Sequence, residues 1–302
     1  MKGYQQVKDR WSTRAGEWIS FALAWCFVRA TGPVPIWTLA GILAPIGSFL
    51  AVVIPGARTR VMENLDYVWP DLTAGEKRRI LKATGAEFIR LVIEYVRFSI
   101  PKENVEVRVT GIEHLEAARD AGMGAVLVTA HLGNWEAIRL AAQRAGCESG
   151  IIYRAFNNRY VDRYARNLIA GLGEPVLHKG RRGMRRLVAH VAHGGTMLIV
   201  VDQRTTGAPM LPFLGKPAET VTAAAALAAR TGAALIPAVA RRNVDERCFE
   251  VIFEPPVTGP NPEQMMSTVN DRISCWIEET PEQWFWFHHR WKTTAPNTPE
   301  AE

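Results

Sequence analysis

The sequence has few cysteines, and their positions argue against two ways of stabilising a fold. Among the 302 residues there are four cysteines: Cys26, Cys147, Cys248 and Cys275. They are widely scattered, with neither the close pairs of a zinc site nor the spacing of a disulfide framework. We therefore expect a protein of a reduced compartment that binds no metal.

Several other features are missing as well. The sequence contains no internal repeat and no low-complexity segment, and only the residues after Lys292 have the composition of a loose tail. The first apolar stretch, residues 18–28, is followed by Arg29 and by no small-residue cleavage pattern, so we expect no signal peptide. No nucleic-acid-binding module is recognisable, so nucleic acid is not an expected partner.

The composition is that of a folded protein with a large core. Hydrophobic residues make up 48% of the chain, which argues against disorder and suits one domain, with or without a helical preface. The formal net charge is +6, and this charge suits an anionic surface, a phosphorylated ligand or nucleic acid. Charge alone does not choose among these partners.

The first hundred residues are predicted to be helical and to associate with a membrane. Residues 71–76 open an amphipathic helix, which Pro101 ends. Residues 36–54 are apolar over about the length of a bilayer crossing, although they contain Pro45. Three interpretations stay open: a single membrane span, a monotopic helix pair in the membrane interface, and a helix packed on a core.

Beyond Pro101, short β-type runs alternate with helical patterns. The β-type runs are residues 105–109, 125–128, 150–153, 197–201, 235–240 and 249–253. The helical patterns are residues 112–120, 135–145, 158–172, 183–192 and 222–231. This alternation predicts an α/β fold with a mixed or mostly parallel central sheet flanked by helices. We divide the chain into a helical, membrane-associating region at 1–100, an α/β core at 101–292 and a flexible tail at 293–302.

An imidazole and a carboxylate follow the apolar run 125–128. On one continuous helix His131 and Glu136 would point about 140° apart. If His131 instead ends a strand and Asn134 caps the next helix, Glu136 lies in its first turn and can swing back toward the imidazole. A carboxylate beside one ring nitrogen leaves the other nitrogen to take a proton from an alcohol, as in a catalytic triad without its serine. The alternative is a single histidine hydrogen-bonded in a polar loop.

Polar side chains also follow two other predicted strands. Arg154 comes after the run 150–153, and Asp202, Gln203 and Arg204 come after the run 197–201. A ligand crevice at the carboxyl ends of parallel strands would gather these groups in one place. Strand ends are commonly polar without any such role, so this pattern is not decisive by itself.

Short motifs follow one another in a specific order along most of the chain. His131 to Glu136 forms a His-x4-acidic motif, and residues 281–292 contain a Gln-Trp-x-Trp-x-His signature. Further motifs are residues 60–65, Trp69-Pro70, Tyr153-Arg154, Asp202-Gln203, 212–220 and Ile236-Pro237. The ordered set resembles the LpxL/LpxM group of lipid A biosynthesis acyltransferases, which also includes the bacterial phosphatidylinositol mannoside acyltransferases.

The resemblance implies a fold similar to that of the glycerolipid acyltransferases and an O-acyltransferase activity. It implies that a fatty acyl chain moves from acyl carrier protein or coenzyme A to a hydroxyl of a membrane glycolipid, in the first place a lipid A precursor. It also implies a position at the cytoplasmic face of the inner membrane. Neither a metal nor a redox cofactor is expected.

The resemblance further implies roles for individual residues. His131 would be the general base that deprotonates the acceptor hydroxyl, and Glu136 would orient and charge-balance it. Backbone amides around Gly133 and Asn134, at the helix start, would stabilise the oxyanion. The remaining candidate substrate-binding residues are Arg154, with its phosphate-matching guanidinium, Asp202, Gln203, Arg204, His288 and Arg290.

Three features leave alternatives open. Arg204 stands where many members of the group have an acidic residue, and it either binds phosphate or carboxylate on the ligand or pairs with Asp202. The basic run 179–186 either binds an acidic carrier protein, phosphopantetheine or anionic headgroups, or is a solvated surface. The tryptophan-rich segment 284–292 is predicted to close the site by packing, with His288 or Arg290 reaching a phosphate.

Three alternatives compete with acyl transfer to a lipid A precursor. A thioesterase or lipid hydrolase would use water in place of the hydroxyl, although the chain lacks the Gly-x-Ser-x-Gly elbow of a serine hydrolase. An acyltransferase for a different acceptor lipid is equally consistent with the chemistry. A non-catalytic membrane-surface or nucleic-acid-binding protein would explain only the basic run and the N-terminal tryptophans.

Overall fold

A computed structural model of the chain describes residues 11–97 and 105–291. Its helices are α1 Trp11–Ala30, α2 Ile36–Val53, α3 Pro55–Val68, α4 Ala74–Arg97, α5 Glu113–Asp120, α6 Trp135–Arg144, α7 Arg159–Ala170, α8 Arg181–Ala192, α9 Ala223–Thr231 and α10 Pro262–Glu279. The predicted helix end at Pro101, the domain boundary at 100/101 and the tail at 293–302 lie outside the described residues.

The strands form one large sheet and one hairpin. They are β1 Glu106–Thr110, β2 Ala125–Thr129, β3 Ser149–Tyr153, β4 Val176–His178, β5 Thr196–Val200, β6 Met210–Phe213, β7 Lys216–Glu219, β8 Ala234–Asn243 and β9 Cys248–Phe253. The seven-stranded sheet has the order β1-β9-β8-β2-β5-β3-β4. Only the β8–β9 pair is antiparallel within it, so the predicted mostly parallel sheet with flanking helices is confirmed.

Side chains of the central strand β2 pack against the layers of helices on both faces of the sheet. All five of its residues are buried, as expected for a strand covered on both faces. Because side chains alternate along a strand, Val126 and Val128 belong to the core under α8, α9 and α10, whereas Ala125 and Leu127 belong to the core under α5, α6 and α7. The apolar run 125–128 is therefore what fixes both cores to the sheet.

Hydrophobic periodicity does not predict every element. It misses the three-residue strand β4, the β6–β7 hairpin and helix α10. The hairpin turn needs a left-handed backbone at Leu214 as well as at Gly215. A leucine rarely adopts this conformation, so the residue types do not predict the turn. Helix α10 does carry an ordinary start signal, because Asn261 caps it and Pro262 occupies its first turn.

The N-terminal helices expose apolar surface next to the α/β core. Helix α2 packs against α4 so closely that a Cβ on Gly47 would lie 2.0 Å from the carbonyl oxygen of Gly85. Its opposite face exposes large apolar side chains: Ile42, Ile46, Phe49, Leu50 and Val53. In the part of the chain that the structure describes, α2 is the one helix long and apolar enough to cross a membrane. Helix α1 also exposes apolar side chains: Trp18, Ile19, Leu23, Trp25 and Phe27.

Candidate active site

His131 and Asp202 meet at the carboxyl edge of the sheet. Strands β2 and β5 pair in parallel with Thr129 opposite Val200, so the residues that follow the two strands lie side by side. The Nδ1 atom of His131 lies 2.7 Å from Oδ1 of Asp202. The backbone amide of His131 donates to the other carboxylate oxygen, Oδ2, at 2.9 Å. The carboxylate is therefore bound to the imidazole and to its own main chain at once.

Asp202 is fully buried, and a third donor holds it. The indole Nε1 of Trp284 donates to Oδ2 at 2.8 Å. Burial alone raises the pKa of Asp202, but the charge and hydrogen bond of His131, with help from His288 and Trp284, bring that pKa well below its usual range. An ionised carboxylate at Nδ1 keeps the proton on that nitrogen and leaves Nε2 of His131 as an acceptor.

The Nε2 side of His131 is open. The side chain is 21% exposed, and the side-chain amide nitrogen of Gln203 lies 3.4 Å from Nε2. Aromatic rings line the rest of this space, with the Trp135 ring 5.3 Å and the Phe285 ring 6.2 Å from the imidazole between ring centroids. A hydroxyl group that enters here reaches the basic nitrogen directly.

Glu136 does not contact the imidazole, so the predicted His131–Glu136 pair is wrong. Asn134 does cap α6, and Glu136 does lie in its first turn, as predicted. However, the buried carboxylate of Glu136 accepts a hydrogen bond from Nη1 of Arg139 at 2.6 Å. Arg139 also donates to the carbonyl oxygens of Ser149 and Gly173. The signal available in the sequence was the i,i+3 spacing, which places Arg139 on the same helix face as Glu136.

Two of the predicted oxyanion donors, the amides of Gly133 and Asn134, donate to other groups within the protein. The amide of Gly133 donates to the carbonyl of Gln283 at 3.0 Å, and the amide of Asn134 donates to the carbonyl of Ala240 at 3.1 Å. Gly133 has a φ of 58°, and a Cβ there would lie 1.9 Å from the carbonyl oxygen of Ala240. This turn therefore serves to hold the His131 loop against β8.

Three predicted ligand-binding arginines have different surroundings. Arg154 is exposed directly after β3, two strands away from β2, and its role stays a prediction. Arg204 pairs with Glu219 and not with Asp202, whereas its binding of phosphate or carboxylate on a ligand stays a prediction. Arg290 is buried and donates to the carbonyl of Glu219 at 2.6 Å and to Oγ1 of Thr220 at 2.7 Å, so it is not free to reach a phosphate.

The tryptophan-rich segment closes one side of the site, as predicted. Trp284 and Trp286 are buried with ring centroids 4.6 Å apart. The amide of Phe285 donates to the carbonyl of His131 at 2.9 Å. Asn64, from the motif at 60–65, donates to the carbonyls of Trp286 and His288. The early motif therefore shapes the active site from more than two hundred positions away.

His288 lies beside the dyad but titrates differently from an ordinary histidine. Its ring centroid is 6.4 Å from that of His131. Burial is the main cause that lowers the pKa of His288 to about 4. The carboxylate of Asp202 opposes this shift, and the guanidinium of Arg290 adds to it. His288 is therefore a neutral imidazole at neutral pH.

A buried ion cluster supports the His131 loop and was not predicted. The guanidinium of Arg242 on β8 binds Glu94 and Glu87, both on α4. Burial raises the pKa of Glu94, while the charge of Arg242 opposes that shift. Glu94 also accepts a hydrogen bond from Nδ2 of Asn134 at 3.0 Å. The spacing of residues along the sequence does not predict this cluster, because Glu94 and Arg242 are 148 positions apart.

An apolar cavity adjoins the dyad. It has a volume of about 310 Å³ and lies between α2 and α4, with Phe285 and Phe287 at its other wall. The ring of Phe285 thus lies between this cavity and His131. Its position next to the exposed face of α2 makes it accessible to a hydrocarbon chain.

Comparison with known proteins agrees with the resemblance drawn from the motifs. The model of the family described as "Bacterial lipid A biosynthesis acyltransferase" matches residues 7–293. The chain is 25% identical over 299 residues to the lipid A biosynthesis lauroyltransferase of Escherichia coli K12, covering 93% of each chain. It is 22% identical over 285 residues to a lipid A biosynthesis acyltransferase of Haemophilus influenzae, covering 91% of this chain and 88% of that one. A phosphatidylinositol mannoside acyltransferase of Mycobacterium tuberculosis is 26% identical over 199 residues, 64% of this chain and 62% of its own length.

Proposed function

Because the chain belongs to the family of bacterial lipid A biosynthesis acyltransferases, we propose that it transfers a fatty acyl chain from a thioester donor to a hydroxyl of a membrane glycolipid. The proposed donor is acyl carrier protein or coenzyme A carrying the acyl chain. The proposed acceptor is a lipid A precursor, in line with the names of the lipid A relatives. A mannoside lipid is the alternative acceptor, in line with the relative from Mycobacterium tuberculosis.

The observation that carries the mechanism is the His131–Asp202 pair with an open Nε2. In the proposed reaction Nε2 takes the proton of the acceptor hydroxyl while its oxygen attacks the thioester carbonyl carbon. Asp202 balances the charge that develops on the imidazole. When the tetrahedral intermediate collapses, the carbon–sulfur bond breaks and the imidazolium returns the proton to the thiolate. No metal and no redox cofactor takes part in this proposal.

The acceptor supplies the nucleophile in this scheme, so no acyl-enzyme forms. Within residues 11–97 and 105–291, no serine or cysteine hydrogen-bonds to His131. Since the amides of Gly133 and Asn134 are occupied, we assign stabilisation of the oxyanion to the side-chain amide of Gln203. Glu136 acts indirectly, because its pair with Arg139 holds the start of α6 against the carbonyls of Ser149 and Gly173.

The acyl chain is assigned to the apolar cavity between α2 and α4. Each buried methylene contributes about 0.8 kcal/mol, so a long chain would gain several kcal/mol from leaving water there. The exposed apolar faces of α1 and α2 would rest in the cytoplasmic face of the inner membrane, which delivers the acceptor lipid. Both a monotopic and a single-span arrangement agree with this proposal.

Lipid mass spectrometry of a reaction in detergent micelles tests the proposal. The wild-type protein, a lipid A precursor and an acyl thioester should give a precursor heavier by one acyl chain. The His131→Ala variant should give none while its far-UV circular dichroism and membrane binding stay at the wild-type level. Free fatty acid without acylated lipid would identify a hydrolase. Wild-type transfer by folded His131→Ala protein would remove His131 as the base.

A further inference from the structure

A strongly basic cavity lies at the same edge of the sheet as the dyad. It has a volume of about 500 Å³ and is formed where β4 ends and α8 begins. Its basic lining residues are Arg166, His178, Lys179, Arg181, Arg182 and Arg186. They come from α7, the end of β4, the β4–α8 loop and α8. The basic run 179–186 thus supplies most of the cations of this pocket, and α7 supplies one more, Arg166.

The cations of this pocket are not neutralised by the protein. Within residues 11–97 and 105–291, Lys179, Arg181 and Arg182 take part in no ion pair. His178 has an acidic neighbour, with its Nε2 3.6 Å from Asp162. The first turn of α8 also carries no acidic residue. Like charges concentrated in this way repel one another, so an anion with several oxygens would stabilise the pocket.

The local fold builds the pocket rather than leaving the charges on a free surface. Gly183 lets α8 begin directly against β4, because a Cβ there would lie 2.0 Å from the carbonyl oxygen of His178. The amide of Lys179 donates to the carbonyl of Tyr153 at 2.8 Å, which ties the β4–α8 loop to the end of β3. The hydroxyl of Tyr153 in turn lies 2.7 Å from Nε2 of His178. These contacts fix one wall of the pocket.

The pocket and the apolar cavity lie on opposite sides of His131. In the order β8-β2-β5-β3-β4, the pocket follows β4, three strand spacings or about 15 Å from β2. The apolar cavity is lined by α4, which is tied to β8 through Glu94 and Arg242. Along the carboxyl edge the order is therefore an apolar cavity, the basic nitrogen and a cluster of cations.

This order matches one molecule of the proposed reaction. We propose that the basic pocket binds the phosphate of the pantetheine arm of the acyl donor, an inference that rests on the proposed function. An acyl phosphopantetheine has its hydrocarbon tail at one end, the reactive thioester carbonyl in the middle and the phosphate at the far end. Acyl carrier protein and acyl coenzyme A share this phosphate, so the pocket serves either donor.

Binding without turnover tests the assignment. Isothermal titration of the full chain in detergent with 4′-phosphopantetheine and with pantetheine compares ligands that differ only by the phosphate. The phosphorylated compound should bind about tenfold more tightly or better, since charge-assisted hydrogen bonds form with the phosphate oxygens. The Arg181→Gln/Arg182→Gln variant should lose this preference. The matched control is Arg185→Gln, which removes an exposed cation of α8 that does not line the pocket.

Kinetics supply the second readout. In the Arg181→Gln/Arg182→Gln variant, KM for an acyl phosphopantetheine should rise about tenfold with kcat nearly unchanged, and KM for the acyl pantetheine should stay at its wild-type value. Equal affinity of the wild-type protein for the two titrated compounds overturns the assignment. An Arg185→Gln effect as large as that of the double variant overturns it as well.

Lipid binding distinguishes the remaining source of phosphate. Vesicles of phosphatidylcholine with and without phosphatidylglycerol are offered to the wild-type protein and to the Arg181→Gln/Arg182→Gln variant. If the variant loses only binding to the anionic vesicles and keeps its affinity for 4′-phosphopantetheine, the pocket serves lipid headgroups and the assignment is wrong. Absence of acyl transfer by the wild-type protein contradicts the proposed function, whereas the titration still decides what the pocket binds.

Discussion

The carboxylate of Asp202 binds His131 twice, at Nδ1 and at the backbone amide, although the two residues are 71 positions apart. A single contact would leave the imidazole free to rotate about its own side-chain bonds. Two contacts from one rigid carboxylate instead fix the ring relative to the main chain at the end of β2. The indole of Trp284 holds the same carboxylate from the other side.

We expect Asp202→Asn to abolish most of the activity without unfolding the protein. The amide keeps the shape of the carboxylate but favours the wrong imidazole tautomer and cannot balance an imidazolium. The loss in kcat should be on the order of a thousandfold or more, as for carboxylates of catalytic triads. Single-turnover acyl transfer measures the loss, and thermal unfolding checks the fold. A variant with more than a tenth of the wild-type kcat would contradict this role of Asp202.

Glu136→Gln is expected to act mainly on stability. Removal of one charge leaves the buried Arg139 uncompensated, which costs about 3–5 kcal/mol in comparable buried pairs. Urea unfolding of the two proteins measures this difference. The matched control is Glu136→Leu/Arg139→Met, which removes both charges and should recover much of the stability. A variant with wild-type stability and no activity would instead make Glu136 a direct participant in the reaction.

The apolar cavity is expected to set the preferred length of the acyl chain. Ala57 lines it, and Ala57→Leu would fill part of its volume. Each methylene excluded from the cavity removes about 0.8 kcal/mol, a factor of about four in affinity, so the preference should shift toward shorter chains. Values of kcat/KM for a series of donor lengths measure the shift. Ala229→Leu, on the exposed surface of α9, should leave the series unchanged. An equal loss at every length would place the chain elsewhere.

The depressed pKa of His288 predicts a specific pH dependence of stability. The folded protein binds the proton near pH 4, whereas an unfolded histidine binds it near pH 6.5. Between these values the unfolded state holds more protons, so stability falls as the pH falls through this window, by at most about 1.4 kcal/mol per unit. Urea unfolding across pH 4 to 7 should show a shallower slope for His288→Asn than for the wild-type protein. Identical slopes would mean that His288 does not titrate in this way.

The sequence predicts the strands well where burial decides them. The run 125–128 is apolar because β2 is covered on both faces. This apolar run allows the sequence alone to predict where β2 lies and that His131 follows it. The partner of His131 was not readable, because it depends on which strand lies beside β2. Glu136 is near in sequence, yet β5 pairs with β2 in a register that brings Asp202 closer. Strand order is a property of the folded chain, and spacing along the sequence does not contain it.

The partners of the charged residues are likewise set by the folded structure and not by spacing along the sequence. In the sequence, Arg204 and Arg290 are candidates for binding phosphate on a ligand, whereas in the fold both bind the end of the β6–β7 hairpin at Glu219 or Thr220. Glu87 and Glu94 lie on helix α4, far from Arg242 in the sequence, yet they meet Arg242 in the interior. A cation's partner is decided by packing, so residue type alone overstates how many cations are available to a ligand.

The hydrogen bond from Trp284 to Asp202 has a consequence for the synthesis and folding of the protein itself. A nascent chain that has left the ribosome as far as β9 already contains both members of the dyad. It still lacks the indole that holds the carboxylate and the Phe285 amide that caps the carbonyl of His131. On the proposed mechanism, catalytic competence therefore requires that α10 and residues 284–285 have been translated and have docked. Incomplete translation products would carry the His-x4-Glu motif without a finished catalyst.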